Sequence, residues 1–251
     1  MAKSFIYPVK ELYSATYTDG THNGTALSVS ASITDEDRLF DQSLALAVSD
    51  VGSNDAIKID LGSAIAIDAL AIYFTAAETS NASLYGSANA DTSSPGSTTA
   101  IIANFDAGWT VAATSDVSLR YWALHSTSGT LVNLTEFFIG RKYDFDFEFD
   151  LQNTISKKSG STITTTYSGS EFSTKKHDPI TTWSWKWSFI TAAMKTSLEA
   201  LRDNTEQDRF KFVYYDGTDY HWVRMSADSL QFTEVAHNIY STTMSLTQQL
   251  I

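Results

Sequence analysis

Two aromatic segments with strict alternation constrain the fold of this chain more than any other feature. Residues 143–151 read Tyr-Asp-Phe-Asp-Phe-Glu-Phe-Asp-Leu, and residues 183–189 read Trp-Ser-Trp-Lys-Trp-Ser-Phe. Successive side chains of a β-strand point to opposite faces of its sheet, so a period of two places the aromatic rings of each segment on one side. The pattern predicts two amphipathic strands that press Phe145, Phe147 and Phe149, the three tryptophans and Phe189 into one shared core.

Short apolar runs separated by polar turn residues fill the first half of the chain. No segment there has a convincing helical period, whereas the runs and their spacing are typical of a β-sandwich or jelly roll. The predicted strands are Ala26–Ile33, Ala56–Leu61, Ile65–Phe74, Asn81–Ser87, Ile101–Asp106, Tyr121–Ser126 and Leu134–Gly140.

The second half combines strands with one helix. Thr191 is a good N-cap, and Met194, Leu198 and Leu201 follow it at helical spacing, which predicts a short helix near residues 191–203. Asp216-Gly217 predicts a β-hairpin turn, and two further strands follow it. We therefore expect a mainly β protein with a jelly-roll domain at 1–140 and a second β domain at 141–251.

Particular stretches of the first half resemble a known family. Residues 56–64 read Ala-Ile-Lys-Ile-Asp-Leu-Gly-Ser-Ala, a core strand that ends in Leu-Gly, and residues 67–72 supply the next core strand. With Tyr121–Leu124 and Phe137–Gly140, they resemble the discoidin-like, galactose-binding-like jelly roll that recurs in phage tail proteins.

The second half is similar to a phage tail-tube or distal-tail β domain. The order that carries this resemblance is an aromatic strand, a short helix and an aromatic hairpin, at Trp183–Phe189, from Thr191, and at Phe210–Tyr215 with His221–Arg224. The resemblance implies a non-enzymatic component of a phage tail or tail tip, which forms a homo-oligomeric ring, a hexamer or trimer, and contacts other tail proteins. It implies location in the virion tail after synthesis in the host bacterial cytoplasm.

Carbohydrate recognition is the alternative interpretation. In this hypothesis the N-terminal domain is an adhesin that binds host surface glycan, and the second domain only holds it in position. Aromatic faces suit the apolar faces of sugars. Trp109, Tyr85 and Tyr121 are therefore the candidate glycan contacts, although core packing is the more frequent role of such residues.

Two polar segments are candidates for assembly. Asp144, Asp146, Glu148 and Asp150 would line one face of the predicted strand; they are candidates for the lumen of a ring, where negative charge repels DNA, and the alternative is an ordinary solvated face. Residues 151–167 resemble two Thr-rich strands joined by a turn. We expect this polar hairpin, at Lys157, Lys158, Ser159 and Gly160, to pair with a neighbouring subunit.

Charge and composition exclude several classes of protein. The net charge is −12, with 5 basic against 15 acidic residues in 1–140 and 12 against 14 afterwards, so specific nucleic-acid binding is not expected. Cysteine is absent, and neither a nucleotide-binding loop nor a nucleophile elbow occurs. We expect no cofactor, no metal and no membrane span; the acidic turn at Asp35, Glu36 and Asp37 is better explained as a solvated turn than as a calcium site.

Overall fold

Long antiparallel strands dominate the first half of the chain. The computed structural model describes residues 3–22, 27–28, 36–47, 55–88, 98–128, 130–146, 148–151, 153–206, 208–227 and 229–250. Short 3-10 turns lie at Lys10–Ser14 and Glu36–Phe40. The strands are β1 (Ser4–Pro8), β2 (Thr16–His22), β3 (Leu27–Ser28), β4 (Asp55–Phe74), β5 (Glu78–Ser87), β6 (Thr98–Phe105), β7 (Gly108–Ser128) and β8 (Leu134–Asp144).

The second half adds eight strands and, within the described residues, one α-helix. They are β9 (Thr154–Lys158), β10 (Ser161–Thr165), β11 (Glu171–Lys175), β12 (Ile180–Thr191), α1 (Ala192–Asn204), β13 (Phe212–Tyr215), β14 (Tyr220–Met225), β15 (Gln231–Ala236) and β16 (Ile239–Gln248). One antiparallel sheet runs in the order β6-β5-β7-β4-β8-β1-β13-β14-β16-β12-β9, with β2, β3 and β15 attached beside it. The strands β10 and β11 pair only with each other among the described residues.

The long strands β4 and β7 of the first half pair irregularly near their middle. Their pairing shifts register between Asp60 and Ile65, where Gly62 adopts a φ of +78° and its N–H donates to the Asp60 carboxylate. Such irregularities allow one strand to pass from one layer to the other. Both ends of β4, for example Ile57 and Ile72, belong to the same hydrophobic core. The prediction of a mainly β fold with a sandwich is thus confirmed.

The N-terminal strand β1 joins the two halves. It pairs with β8 on one side and β13 on the other. Ile6 packs into the core of the sandwich, whereas Phe5 and Tyr7 pack into a second, aromatic core. The domain boundary at residue 140 stays a prediction, but the first residues of the chain are part of the second core.

The aromatic core is built from α1 and residues of β1, β12, β13, β14 and β16. Trp183, Trp185 and Trp187 are buried in it together with Met194, Leu198 and Leu201 of the helix. The side-chain oxygen of Thr191 accepts a hydrogen bond from the Met194 N–H at 3.2 Å, so the predicted cap and helix are both present.

The alternating segments did not both form strands as predicted. The first leaves the sheet after Asp144, and beyond it the Phe145 N–H donates to Lys3 and the Asp150 N–H donates to Lys186. Phe145 is nevertheless buried and Phe149 stacks on Trp185 at 5.1 Å, while the Phe147 side chain lies outside the described residues.

The prediction that Phe189 is a core residue is wrong. The pairing of β12 with β16 shifts register between Trp187 and Ile190. The shift places Ile190 in the core and leaves the Phe189 side chain 72% exposed. A bulge of this kind reverses the side to which the following residues point, and alternation in a sequence gives no sign of it.

The turn predicted at Lys157–Gly160 is also wrong. It does not join a hairpin, because β9 pairs with β12, with Lys157 opposite Thr181. The hairpin is formed instead by β10 and β11, with its turn at residues 166–170. Residues 157–160 are the corner at which the chain leaves the large sheet.

Replacing Phe5 should test whether β1 holds the aromatic core together. We expect Phe5→Ala to lower the free energy of unfolding by about 3–5 kcal/mol, because the side chain is fully buried and leaves a cavity. Phe189→Ala is the matched control and should change it by less than about 0.5 kcal/mol. Urea unfolding followed by tryptophan fluorescence measures both, and equal effects would contradict the role assigned to β1.

Candidate functional site

An aromatic cleft lies where the two halves of the chain meet. It has a volume of about 650 Å³. Strands from both halves contribute its aromatic walls, and polar residues from the chain after β11 and from the C-terminal end complete it. We define the aromatic cleft by the rings of Tyr73, Trp109, Tyr220, His221 and Trp222, together with Lys176, His177, Asp178, Gln248 and Gln249.

Pairing between distant strands places the rings. Trp109 stands opposite Tyr73 in the ladder of β7 and β4, and their ring centroids are 5.3 Å apart. Trp222 on β14 lies 4.8 Å from Trp109, so the two indoles form the floor where the sandwich meets the second half. The indole nitrogens of both have no hydrogen-bond partner among the described residues, and both are buried from solvent.

The polar rim of the cleft is partly engaged in local pairs. Asp178 forms an ion pair with Lys175, and His221 Nε2 lies 2.9 Å from the Asp216 carboxylate. Burial would raise the pKa of Asp216, but hydrogen bonds from the Asp219 N–H, His221 and the Thr218 N–H outweigh it and lower the pKa. Asp216 is therefore ionised at neutral pH and fixes the orientation of the His221 ring.

Two glutamines contribute uncharged polar groups to the same rim. The Gln248 carbonyl accepts from the Thr181 N–H at 3.2 Å, which leaves its NH₂ group as a donor. The Gln249 NH₂ group donates to the Thr247 carbonyl at 3.0 Å, which leaves its carbonyl as an acceptor. The cleft thus combines flat apolar surfaces with separate donors and acceptors at one edge.

The three aromatic residues predicted as glycan contacts are not brought together. Trp109 lies in the cleft, but Tyr85 on β5 and Tyr121 on β7 lie outside it, where Tyr85 is near His125 and Tyr121 packs under Arg120. The other residues of the cleft, Tyr73, Tyr220 and Trp222, were not predicted, although Tyr220 and Trp222 follow the Asp216-Gly217 turn that marked the hairpin.

The four carboxylates predicted as lumen residues lie on the segment that leaves β8. Asp144, Asp146 and Glu148 are exposed and Asp150 is half-buried. All four have polar partners on the same chain, which are Lys142 for Asp144, Tyr143 for Asp146, Lys3 for Glu148 and Ser188 for Asp150. They share one segment without forming one strand face, and their role in a lumen stays a prediction.

A two-stranded arm projects from the large sheet. We define the arm as residues 161–175, which contain β10, β11 and their turn, and every one of these residues is exposed. Ile163 is 65% exposed, Phe172 is 59% exposed and Tyr167 is fully exposed. Ile163 pairs with Ser173 and Thr164 with Phe172, so Ile163 and Phe172 lie on opposite faces of the arm.

The predicted assembly residues form the base of this arm. Lys157 and Lys158 end β9, Ser159 follows them, and the Gly160 carbonyl accepts hydrogen bonds from the N–H groups of Lys176 and His177 at 2.7 and 3.3 Å. A Cβ at position 160 would lie 2.0 Å from the His177 carbonyl oxygen, so the close approach requires glycine. Lys176 and His177 also line the aromatic cleft.

A buried carboxyl lies outside the cleft, on β8. Glu136 has no exposed surface, and neither carboxyl oxygen has a hydrogen-bond partner of good geometry among the described residues. Burial raises the pKa of Glu136 well above its ordinary value, and the nearby Asp41 carboxylate adds to the shift. Burial lowers the pKa of Lys211, which the Glu136 carboxyl partly offsets.

The described residues contain neither a candidate metal site nor a helix that could span a membrane. No group of three or more histidine, aspartate or glutamate side chains is placed to hold a metal ion in the part of the chain that the structure describes. No helix within that part is long and apolar enough to cross a membrane. The side chains at positions 35–37, which include the acidic turn, lie outside the described residues.

Comparison with known proteins found similarity only among solved structures. No protein-family model matches the chain, and no curated protein matches it. A chitosan-binding module 1 from a chitosanase/glucanase of Paenibacillus sp. IK-5 is 20% identical, covers 53% of this chain and 98% of its own, and gives a TM-score of 0.41.

Two further structures are similar over about the same share of the chain. Chitosan-binding module 2 of the same enzyme, in complex with chitotriose, is 16% identical, covers 52% of this chain and 99% of its own, and has a TM-score of 0.38. The lectin domain of lectinolysin, complexed with Lewis B antigen, is 12% identical and covers 54% of this chain and 99% of its own. Its TM-score is also 0.38. These values are too low to transfer a ligand to this chain.

Replacing Glu136 should change how stability depends on pH. A carboxyl with a raised pKa binds more protons in the folded than in the unfolded chain, so the free energy of unfolding falls as the pH rises above about 4.3. We expect Glu136→Gln to remove this part of the fall and to raise the melting temperature at neutral pH.

Thermal unfolding between roughly pH 4 and pH 8 measures the effect. Glu171→Gln, the same change at an exposed carboxyl on the arm, is the control and should follow the parent protein. A Glu136→Gln profile that runs parallel to that of the parent would show that the buried carboxyl does not titrate as described.

Proposed function

We propose that this protein is a structural component of a phage tail or tail tip, which associates with further copies of itself into a ring. The observation that carries the proposal is the exposed arm. Every residue from 161 to 175 is exposed, and β10 and β11 pair only with each other among the described residues. An isolated two-stranded hairpin is at best marginally stable in water, so an arm of this kind gains stability when a partner covers it.

Exposed apolar side chains indicate where the partner binds. Ile163 and Phe172 present apolar surface on opposite faces of the arm, and Tyr167 presents its ring at the turn. Burying an aliphatic or aromatic side chain at an interface contributes about 1.5–3 kcal/mol. The outer edges of β10 and β11 also offer backbone N–H and C=O groups to a strand of another subunit.

Charge favours a second copy of the same chain as the partner. Residues 157–179 contain four of the 17 basic residues and only two of the 29 acidic ones, whereas the chain as a whole has a charge of −12. The excess of basic residues lies at the base of the arm, at Lys157, Lys158, Lys175 and Lys176, where it attracts the acidic surface of another copy, and like charges elsewhere oppose other arrangements. A contact between two different surfaces generates a ring where the rotation closes.

The order of elements supports the placement in a phage tail. The aromatic strand β12, the helix α1 and the hairpin of β13 and β14 follow each other as in the tail-type β domains that the sequence resembles. The exposed arm lies just before β12. In this proposal the second half assembles into a hexamer or trimer, the first half contacts neighbouring tail proteins, and the carboxylates at 144–150 face the lumen.

Removing apolar surface from the arm should abolish association. We expect Ile163→Ser combined with Phe172→Ser to leave a folded 27.6 kDa monomer, while the parent protein forms a hexamer or trimer. Light scattering after size exclusion, over a range of protein concentrations, measures the mass. High salt should weaken association of the parent protein, since it screens the charge attraction.

The control is the pair Leu46→Ser and Val132→Ser, which removes exposed apolar side chains outside the arm and should not change the mass. Circular dichroism confirms that each variant is folded. A parent protein that stays monomeric at every concentration, or an arm variant that assembles like the parent, would refute the role of the arm.

Carbohydrate binding is a second candidate function, and the aromatic cleft is the observation that favours it. Its rings and the two glutamines of its rim are the groups that a sugar needs, since one face of a pyranose is apolar and its edge carries hydroxyls. Carbohydrate binding is compatible with assembly into a homo-oligomeric ring, because a tail component can both assemble and contact a host surface.

A further inference from the structure

We propose that the aromatic cleft binds an oligosaccharide through at least one pyranose ring, at the junction of the two halves rather than at the outer end of the sandwich. This inference deepens the second candidate function and is independent of the assembly proposed for the arm. The cleft volume of about 650 Å³ lies within the roughly 300–1,000 Å³ typical of small-ligand sites.

The aromatic side chains of the cleft are held in place by neighbouring rings. Tyr220 is 38% exposed, and its ring lies 4.7 Å from that of Tyr215, which holds it in place. Trp109 is half-buried and is backed by Tyr73 and Trp222. The backing packs these rings against neighbours before a ligand arrives, so little side-chain entropy is lost on binding.

The rim of the cleft offers two amide side chains beside the aromatic rings. The NH₂ group of Gln248 and the carbonyl of Gln249, neither of which has a partner among the described residues, are a donor and an acceptor on adjacent residues. Vicinal hydroxyls of a sugar both donate and accept, so such a pair suits them. Asp178 is paired with Lys175, and His221 Nε2 lies 2.9 Å from the Asp216 carboxylate, so both groups are engaged locally, while Lys176 adds a cation to the same rim.

The location explains why both halves are needed. Tyr73 and Trp109 come from the sandwich, and Tyr220 and Gln249 come from the second half. The site therefore exists only in the full chain. This differs from the contacts expected at Tyr85 and Tyr121, which lie together on β5 and β7 away from the cleft.

Binding of the full-length protein to a glycan array, followed by titration of each bound oligosaccharide, tests the inference. Quenching or a shift of tryptophan fluorescence is expected on binding, because two indoles line the cleft. Tyr220→Ala should weaken binding about tenfold, since it removes one stacking surface. Gln249→Ala provides a second variant that does not touch the aromatic wall and should also weaken binding.

Tyr85→Ala is the matched control, because it removes a half-buried tyrosine outside the cleft and should leave the affinity unchanged. Loss of binding in Tyr85→Ala with none in Tyr220→Ala and Gln249→Ala would overturn the site while leaving carbohydrate binding in place. A parent protein that binds no glycan on the array would overturn both, without affecting the test of self-association by light scattering.

Discussion

Burial of β1 on both faces is the constraint on which the rest of the structure depends. Its five residues are all buried, and Phe5, Ile6 and Tyr7 alternate between the aromatic core and the sandwich core. The strand fits beside β8 only because position 140 is glycine, where a Cβ would lie 1.9 Å from the Tyr7 carbonyl oxygen. The two halves therefore share one sheet, and neither core is complete without the N-terminus. This shared strand fixes the junction at which the aromatic cleft forms.

Local signals in the sequence were sufficient to predict the elements that a single short segment defines. The helix followed from Thr191 and the spacing of Met194, Leu198 and Leu201, since a cap and one buried face are properties of a single segment. The hairpin at Asp216-Gly217 followed from its turn residues for the same reason, and Gly217 adopts the positive φ that such a turn requires.

Alternation predicted which side each residue faces but not which backbone it pairs with. Phe145 and Phe149 pack inward as expected, although their segment left the ladder at Asp144. The hairpin predicted at Lys157–Gly160 failed for a related reason: its residues suit a turn locally, but β9 pairs with the aromatic strand β12. Pairing of this kind depends on tertiary contacts, which no short window of sequence contains.

The grouping of residues in the aromatic cleft could not be predicted from short segments of sequence either. Trp109 could be chosen from the sequence as an aromatic residue near a glycine, but Tyr220 and Trp222 are about a hundred residues further along the chain. They meet Trp109 because β1 and β13 pair between β8 and β14. Sequence reasoning could identify candidate side chains, whereas their grouping depends on the long-range order of strands.

The base of the arm lies next to the aromatic cleft. The N–H groups of Lys176 and His177 are fixed to the Gly160 carbonyl at the base of the arm, and the same two residues line the cleft. A ligand that contacts His177 therefore touches the segment that orients the arm. If docking of the arm moves this segment, association changes the affinity for the ligand, and by thermodynamic reciprocity the ligand changes association by the same factor. Glycine is required at this contact between the base of the arm and the cleft, because a Cβ at position 160 would lie 2.0 Å from the His177 carbonyl oxygen.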